Sequence, residues 1–185
     1  GTYYNQPFFW AIDESSDATF YGHYMNSRGI RGGLEYRYFL DNYSKGTLMA
    51  NGFDDKKIDD GIGDSSEKWG FDDGDRVVLR ENRDRYWFLI SHRQRFPWGI
   101  NARLDVDIVS DQDYTRDFKK GYMGWKPAKE YFQDVFNWDL DDYNDPIRTS
   151  QLNFNKTWPA FNLNANLRYD LDSTLRNTDE PNDIL

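Results

Sequence analysis

The stretch INARLDVDIV, at positions 100–109, alternates apolar and polar residues without interruption. Its apolar side chains are Ile100, Ala102, Leu104, Val106 and Ile108, and its polar ones are Asn101, Arg103, Asp105 and Asp107. Because successive side chains of a β-strand face opposite sides, this pattern predicts a strand with one apolar and one polar face. The apolar face could meet a protein core or a lipid bilayer, and the polar face could meet bulk water or an enclosed lumen.

The same period of two recurs along the chain and predicts further strands. It is found over 18–25, 30–40, 47–53, 86–94, 152–158 and 161–169. Short polar turns between several of these segments predict hairpins. The segment 111–127 has no clear period, and the segment 128–140 suits a short helix or an irregular strand equally well. We therefore predict an all-β fold, an antiparallel meander of roughly eight to ten long strands.

The chain, 1–185, is long enough for one domain. Residues 54–85 are rich in charge and glycine and predict a loop, and residues 171–185 predict a loop or tail. The chain begins with Gly1 and shows no leader peptide, from which we expect an excised or processed piece.

Composition excludes some classes of protein. The net charge of −9 argues against a nucleic-acid partner, since phosphate binding needs a basic surface. The chain has no cysteine, so it has neither disulfides nor thiolate metal sites. Its longest apolar runs are far shorter than the roughly 20 residues of a membrane-spanning helix, whereas a spanning strand needs only about 9–11 residues.

Two architectures fit these observations. In a soluble sandwich or lipocalin-like barrel the apolar faces point inward, and in an outer-membrane β-barrel they point outward to lipid. Strands of about ten residues, aromatic residues near the strand ends and mixed-sign polar faces favour the membrane barrel. Composition alone leaves both open.

Three motifs carry a resemblance to a known family. They are QPFFWAIDESSDATFYGHYMNSRGIRGGLEYRYFL near the start, VSDQDYTRDF at 109–118, and DDYNDPIRTSQLNFNKTW at 141–158. In this order they resemble the barrel domain of the LptD family of lipopolysaccharide assembly proteins. The resemblance spans roughly residues 3–170, and the ordered series is more specific than any single motif.

This resemblance implies part of a barrel wall in the outer membrane of a Gram-negative bacterium. The implied function is transport of lipopolysaccharide to the outer leaflet, with glycan passing through the lumen and lipid leaving through a lateral gate. The implied partners are lipopolysaccharide, an outer-membrane lipoprotein plug of the LptE type, and the periplasmic lipopolysaccharide bridge proteins. The family does no covalent chemistry, so we expect no catalytic residue, metal or cofactor.

The family's gate lies beside its first strand, where proline weakens pairing because it supplies no N–H. The residues that the resemblance assigns to this gate are Pro7, Phe8, Phe9, Trp10 and Gly22. The residues expected to line the lumen are Asn101, Arg103, Asp105, Asp107, Asn162 and Asn164. A simpler interpretation of Pro7 is that it marks an ordinary edge strand.

Rival functions have some support in the sequence. A soluble β-sandwich carbohydrate-binding module would use exposed aromatic residues to stack on sugars. Asp105 and Asp107 would lie about 7 Å apart on one strand face, which suits the paired carboxylates of a glycosidase. Arg103 on the same face favours a charged surface instead, and neither acid has an evident burying environment. His23 and His92 belong to no catalytic motif, and the acidic stretches do not match an EF-hand.

Overall fold

The computed structural model describes residues 2–58 and 82–174, which form one eight-stranded antiparallel sheet. The strands pair in chain order, each with the next. They are β1 (Tyr3–Ala11), β2 (Ser16–Met25), β3 (Gly29–Asp41), β4 (Ser44–Asp55), β5 (Asp84–Arg95), β6 (Asn101–Val109), β7 (Ile147–Thr157) and β8 (Asn162–Asp172). The predicted all-β meander of long strands is confirmed, and the described residues do not form the two facing sheets of a sandwich.

In the strand register, apolar residues lie opposite apolar ones and polar residues opposite polar ones, so the sheet has two different faces. One row across six strands is entirely apolar: Phe8, Phe20, Leu34, Ala50, Phe88 and Ile108. A row on the opposite face is mostly polar: Asp17, Arg37, Thr47, Ser91, Asp105 and Gln151. We call the side of the first row the open face and the side of the second row the covered face.

The connection between β6 and β7, residues 110–146, lies over the covered face, and we call it the cover segment. It contains helices α1 (Gln112–Asp117) and α2 (Trp125–Phe136). The side chain of Asp111 caps α1 by accepting a hydrogen bond from the Tyr114 N–H, and Asn137 ends α2 in the left-handed conformation. Of the two structures that the sequence left open for 128–140, the helix is the one formed.

The hydrophobic core lies between the covered face and the cover segment. The sheet contributes Tyr21, Met49, Phe53, Trp87, Leu89 and Val109, and the cover segment contributes Tyr114, Phe118, Met123, Trp125, Ala128, Phe132, Phe136, Trp138 and Leu140. Nine of these 15 core side chains are aromatic, so rings supply most of the buried apolar contact between the sheet and the cover segment.

The predicted irregular segments differ slightly from the structure at their ends. β4 continues to Asp55 and β5 begins at Asp84, so both ends of the predicted loop 54–85 belong to strands. β8 likewise continues to Asp172, inside the predicted tail. The prediction for residues 59–81 and 175–185 lies outside the described residues. Neither helix of the described part is long and apolar enough to cross a membrane.

One glycine is required by a close approach within the sheet. Gly33 faces Tyr21 across the β2–β3 pair, and the phenol ring lies directly over the glycine Cα. Tyr21 is buried, donates its hydroxyl hydrogen bond to Asn51, and packs edge-to-face against Tyr122 at 5.2 Å between ring centroids. A side chain at position 33 would therefore have to displace a ring that Asn51 and Tyr122 hold in place.

We predict that Gly33→Ala lowers the free energy of unfolding by about 1–3 kcal/mol, because it overpacks a fixed ring. Gly52→Ala is the matched control: it also lies within a strand, but its added Cβ would meet nothing within 4 Å. Urea unfolding of the two variants compares them directly. Equal stability of both would contradict the packing argument.

Candidate functional site

Polar side chains on the covered face of the sheet are buried, whereas apolar side chains on the open face are partly exposed. Along β6, Asp105 and Asp107 are 0% and 1% exposed, while Leu104, Val106 and Ile108 on the open face remain half-exposed. β5 shows the same inversion, with Ser91 fully buried and Phe88 37% exposed. In an ordinary soluble sheet the apolar face is the buried one. The candidate site is therefore this buried polar surface together with the exposed apolar surface behind it.

Arg31 fastens the middle of the cover segment to the sheet. Its guanidinium donates to Tyr114 Oη at 2.9 Å, to the Met123 carbonyl at 2.7 Å and to Asn51 Oδ1 at 3.0 Å. It also lies 4.3 Å from the centroid of the Phe118 ring. Only 3% of Arg31 is exposed, so these contacts replace water as the solvent of a buried cation.

A second cluster of charges lies at the end of the sheet from which the cover segment starts. Arg85 pairs with Asp111 at 2.7 Å and with Asp55 and Asp117 at 2.8 Å each. Arg28 donates to Asp55 at 2.9 Å and to Asp117 at 2.9 Å. Two arginines thus share three carboxylates, and the pairing extends from the β2–β3 turn, β4 and β5 to α1.

Burial and pairing act in opposite directions on Asp117 in this cluster. Burial disfavours its ionised form, but the hydrogen bonds and charges of Arg28 and Arg85 outweigh that effect and hold its pKa below the ordinary value of 3.8. The carboxylate is therefore ionised throughout the neutral and mildly acidic range and keeps α1 attached to the sheet.

Asp105 and Asp107 are held in separate environments. Asp105 pairs with Arg93 at 2.8 Å and Arg103 at 2.6 Å, and it accepts the hydroxyl hydrogen of Ser91 at 2.6 Å. Asp107 accepts from the Trp87 indole at 2.8 Å. The expectation that neither acid has a burying environment is wrong, because the cover segment closes over this part of the face.

Arg148 makes the deepest contact between β7 and the cover segment. It is fully buried, donates to Thr115 Oγ1 at 3.0 Å, and lies 3.7 Å from Asp107. One oxygen of Asp107 and the Nε of Arg148 have no hydrogen-bond partner among the described residues. The sequence alone gave no role to Arg31, Arg85 or Arg148. For Arg31 and Arg85 the sequence did contain a signal, because each lies on the same alternating face as the acidic residues of the neighbouring strands.

The predicted lumen residues lie on one side of the sheet, the covered face, but in two settings. Asp105 and Asp107 are buried beneath the cover segment, whereas Asn162 and Asn164 are exposed beyond it. Asn101 donates to Asn155 at 3.3 Å, and Asn153 donates to Asn164 at 2.6 Å, so β6, β7 and β8 share a ladder of amides. Arg103 is half-buried between the two settings.

The predicted gate residues lie on or beside the free edge of the sheet. Pro7 pairs in register with Tyr21, and Phe8, Phe9 and Trp10 are 64%, 59% and 51% exposed. Gly22 of β2 lies opposite Gln6 of β1. Among the described residues, β1 pairs with β2 alone, so its outer edge is unpaired. Its large apolar side chains are available for contact on both faces.

This arrangement is not suited to glycosidase chemistry. A retaining pair needs two carboxyl groups that reach one glycosidic bond, yet Asp105 is saturated by two arginines and both acids are closed off from substrate. In the part of the chain that the structure describes, no group of three acidic or histidine side chains could hold a metal ion. What the site does is fix a 37-residue connection onto a sheet through buried charge.

Comparison with known proteins gives several LPS-assembly proteins named LptD. No family model matches the chain. It is 31% identical over 159 residues to the LPS-assembly protein LptD of Acidovorax sp. (strain JS42), covering 80% of this chain. It is 30% identical over 149 residues to LptD of Mannheimia succiniciproducens and 29% identical over 135 residues to LptD of Cupriavidus necator, covering 76% and 71% of this chain. The matches span 14–17% of the length of these relatives.

We predict that Asp117→Asn loosens α1 and lowers the free energy of unfolding by about 1–3 kcal/mol, because it removes a charged acceptor from Arg28 and Arg85. The folded pKa of Asp117 is depressed, so its contribution is complete above pH 3.8 and is lost as the pH falls through the lower folded value. The Asp117→Asn variant should lose the part of the stability that depends on pH in this acid range. Hydrogen exchange of residues 110–124 between pH 3 and pH 7 measures both effects.

Asp113→Asn on the same helix is the control, because its pair with Arg116, at 3.4 Å, is partly exposed and worth little. If the two variants exchange alike at every pH, the buried cluster does not hold the helix.

Proposed function

We propose that this chain is part of the wall of an outer-membrane β-barrel, with the open face towards lipid and the covered face towards the interior. More specifically, we propose that it belongs to a lipopolysaccharide assembly protein of the LptD type in a Gram-negative bacterium. The proposed role is transport, without covalent chemistry, and its support comes from the sheet and from the relatives together.

The observation that carries the proposal is the inverted burial of the two faces. On the open face a second row of side chains crosses six strands as Trp10, Ala18, Tyr36, Leu48, Ile90 and Val106, all of them hydrocarbon or aromatic. No element of the described residues packs upon these rows. A continuous apolar surface of this extent needs an apolar environment, and hydrocarbon supplies it.

The dimensions of the sheet also suit a bilayer. The strands contain 9–13 residues, which agrees with the roughly 9–11 residues that cross a membrane at a tilt. Large exposed aromatic side chains lie near both ends of the strands, with Tyr4 and Tyr24 at one end and Trp10 and Trp98 at the other. Aromatic residues at these two levels are typical of membrane–water interfaces.

The covered face supports lipopolysaccharide as the transported molecule. Its exposed part is a ladder of asparagines, and amides both donate to and accept from sugar hydroxyl groups. The net charge of −9 makes glycan a better partner than bare phosphate. From the resemblance of the sequence to the LptD family we also propose that the full protein works with an LptE-type lipoprotein plug and with periplasmic lipopolysaccharide bridge proteins.

The free edge of β1 is our candidate for one side of a lateral gate. Pro7 supplies no N–H to a further strand, and Gly22 beside it adds no side-chain packing to β2. The aromatic side chains of Phe8, Phe9 and Trp10 would then lie where lipid leaves the barrel. A seam that is weak in hydrogen bonds opens more easily than the other pairs of the sheet.

We predict that Val106→Lys, at the middle of the open face, destabilises the protein in a bilayer by about 2–4 kcal/mol, the cost of a lysine at the lipid-facing midplane of a barrel. Folding into vesicles, followed by urea titration, measures this loss. Asn166→Lys, exposed on the covered face, is the control and should be nearly neutral. A neutral Val106→Lys would show that the open face meets water.

We predict that a disulfide between a cysteine at Phe9 in β1 and a cysteine in the last strand of the full-length protein abolishes lipopolysaccharide transport. The staple prevents the seam from opening, and reduction should restore transport. Surface labelling of newly made lipopolysaccharide measures the loss, and Phe9→Cys alone is the control. Undiminished transport with the staple fully formed would refute the gate.

A further inference from the structure

A cavity of about 360 Å³ lies on the open face, between the turn that joins β5 to β6 and the turn that joins β7 to β8. Its lining is almost entirely hydrocarbon and aromatic: Trp98, Ile100, Phe154, Asn155, Lys156, Trp158 and Leu163. The proposed gate does not use this cavity, and of the amide ladder only Asn155 reaches its lining.

The floor of the cavity belongs to the proposed lipid-facing surface. Phe154 pairs in register with Ala102 of β6 and Ala165 of β8, and Lys156 pairs with Leu163. Leu163 is 54% exposed, so the floor is open to a ligand from the side. The cavity is therefore a depression at the end of the apolar surface, where a barrel strand would leave the hydrocarbon.

Lys156 is the only charged side chain of the lining. Its ammonium lies 4.4 Å from the centroid of the Trp158 ring, and within the described ranges no carboxylate lies within ion-pair distance of it. Lys156 is half-buried beside Phe154 in a chain that carries 32 acidic residues. An anion that also carries a long apolar portion would complement both the ammonium and the floor.

The two turns that form the walls have similar composition and hold large rings in place. One contains Phe96-Pro97-Trp98-Gly99, and the other contains Trp158-Pro159-Ala160-Phe161. Trp98 adopts a positive φ of 65°, which is unfavourable for a bulky residue, and yet its side chain is 81% exposed. Trp158 stacks on Phe161 at 4.4 Å between ring centroids. Because this strained backbone holds the indole of Trp98 in the open, we infer that the indole contacts a molecule other than this chain.

We propose that this cavity binds one glycerophospholipid of the surrounding bilayer, with its phosphate paired to Lys156 and an acyl chain along Phe154 and Leu163. The indole rings of Trp98 and Trp158 flank the glycerol region, at the level where tryptophan prefers to lie. A phospholipid is favoured because a single ammonium matches a single phosphodiester. The site rests on the proposed membrane position of the open face.

The test uses the full-length protein in phosphatidylcholine bilayer discs that contain a trace of phosphatidylglycerol with a photoreactive diazirine in its acyl chain. A parallel sample contains diacylglycerol with the same chain and no phosphate. After illumination, labelled peptides are mapped. We expect phosphatidylglycerol to label residues 98–100 and 154–163 preferentially, and Lys156→Gln to reduce that labelling about fivefold, the effect of one lysine near a lipid phosphate. Diacylglycerol labelling should not respond to this substitution.

Lys45→Gln is the matched control, because Lys45 also contacts an aromatic ring near the end of a strand, but donates to the Val135 carbonyl under the cover segment. It should leave labelling unchanged. Even labelling along the open face, or labelling at the cavity that ignores Lys156→Gln, overturns the site while leaving the membrane position intact. Labelling that avoids the open face altogether overturns the site and the proposed function together.

Discussion

The burial of ionised side chains on one face of a single sheet is the constraint on which the other features depend. Transferring an arginine or aspartate out of water is costly unless each charge finds partners. The cover segment supplies those partners, from the Tyr114 hydroxyl over Arg31 to the Asp111 carboxylate beside Arg85. Because so many of these bonds join the sheet to one connection, the sheet and its cover form a single unit. A cover bound only by hydrocarbon contacts could slide, whereas the arginine forks fix its register.

This use of the polar face explains why the apolar face is left uncovered. An eight-stranded sheet has two large surfaces, and among the described residues the connection 110–146 is the long one that covers either of them. In water that connection would be expected over the hydrocarbon side, since the hydrophobic effect dominates folding. Its position over the covered face buries the aromatic core together with the paired charges, and it leaves the open face for the apolar environment that we propose. The free energy of folding therefore depends on the medium that surrounds the open face.

Much of the fold follows from local patterns, and much of the site does not. The period of two in β6 and the change of parity at Trp158-Pro159-Ala160 are properties of neighbouring residues, so strand positions and pairing order could be predicted from them. Burial of Asp105 depends on Arg93, on Arg103 and on a helix that follows 20 residues later, and no local pattern carries that information. The helix α2 was also not predictable from local pattern, because its aromatic side chains belong to one core with Met49 and Trp87, which are distant in sequence. The resemblance supplied a function, but not the buried charge network.

The position of the cover segment also has a consequence for biogenesis. Arg31 of β3 donates a hydrogen bond to the carbonyl of Met123, 92 residues further along the chain, and Arg93 donates one to the carbonyl of Phe136. Until the whole connection has been synthesised, Arg31 and Arg93 lack these partners, and within the first five strands Arg31 keeps its contact with Asn51 and Arg93 its contact with Ser91. Contacts so distant in sequence form slowly. If the sheet forms a barrel wall as we propose, we therefore expect its first five strands to assemble together with the cover segment, rather than to enter the membrane one hairpin at a time.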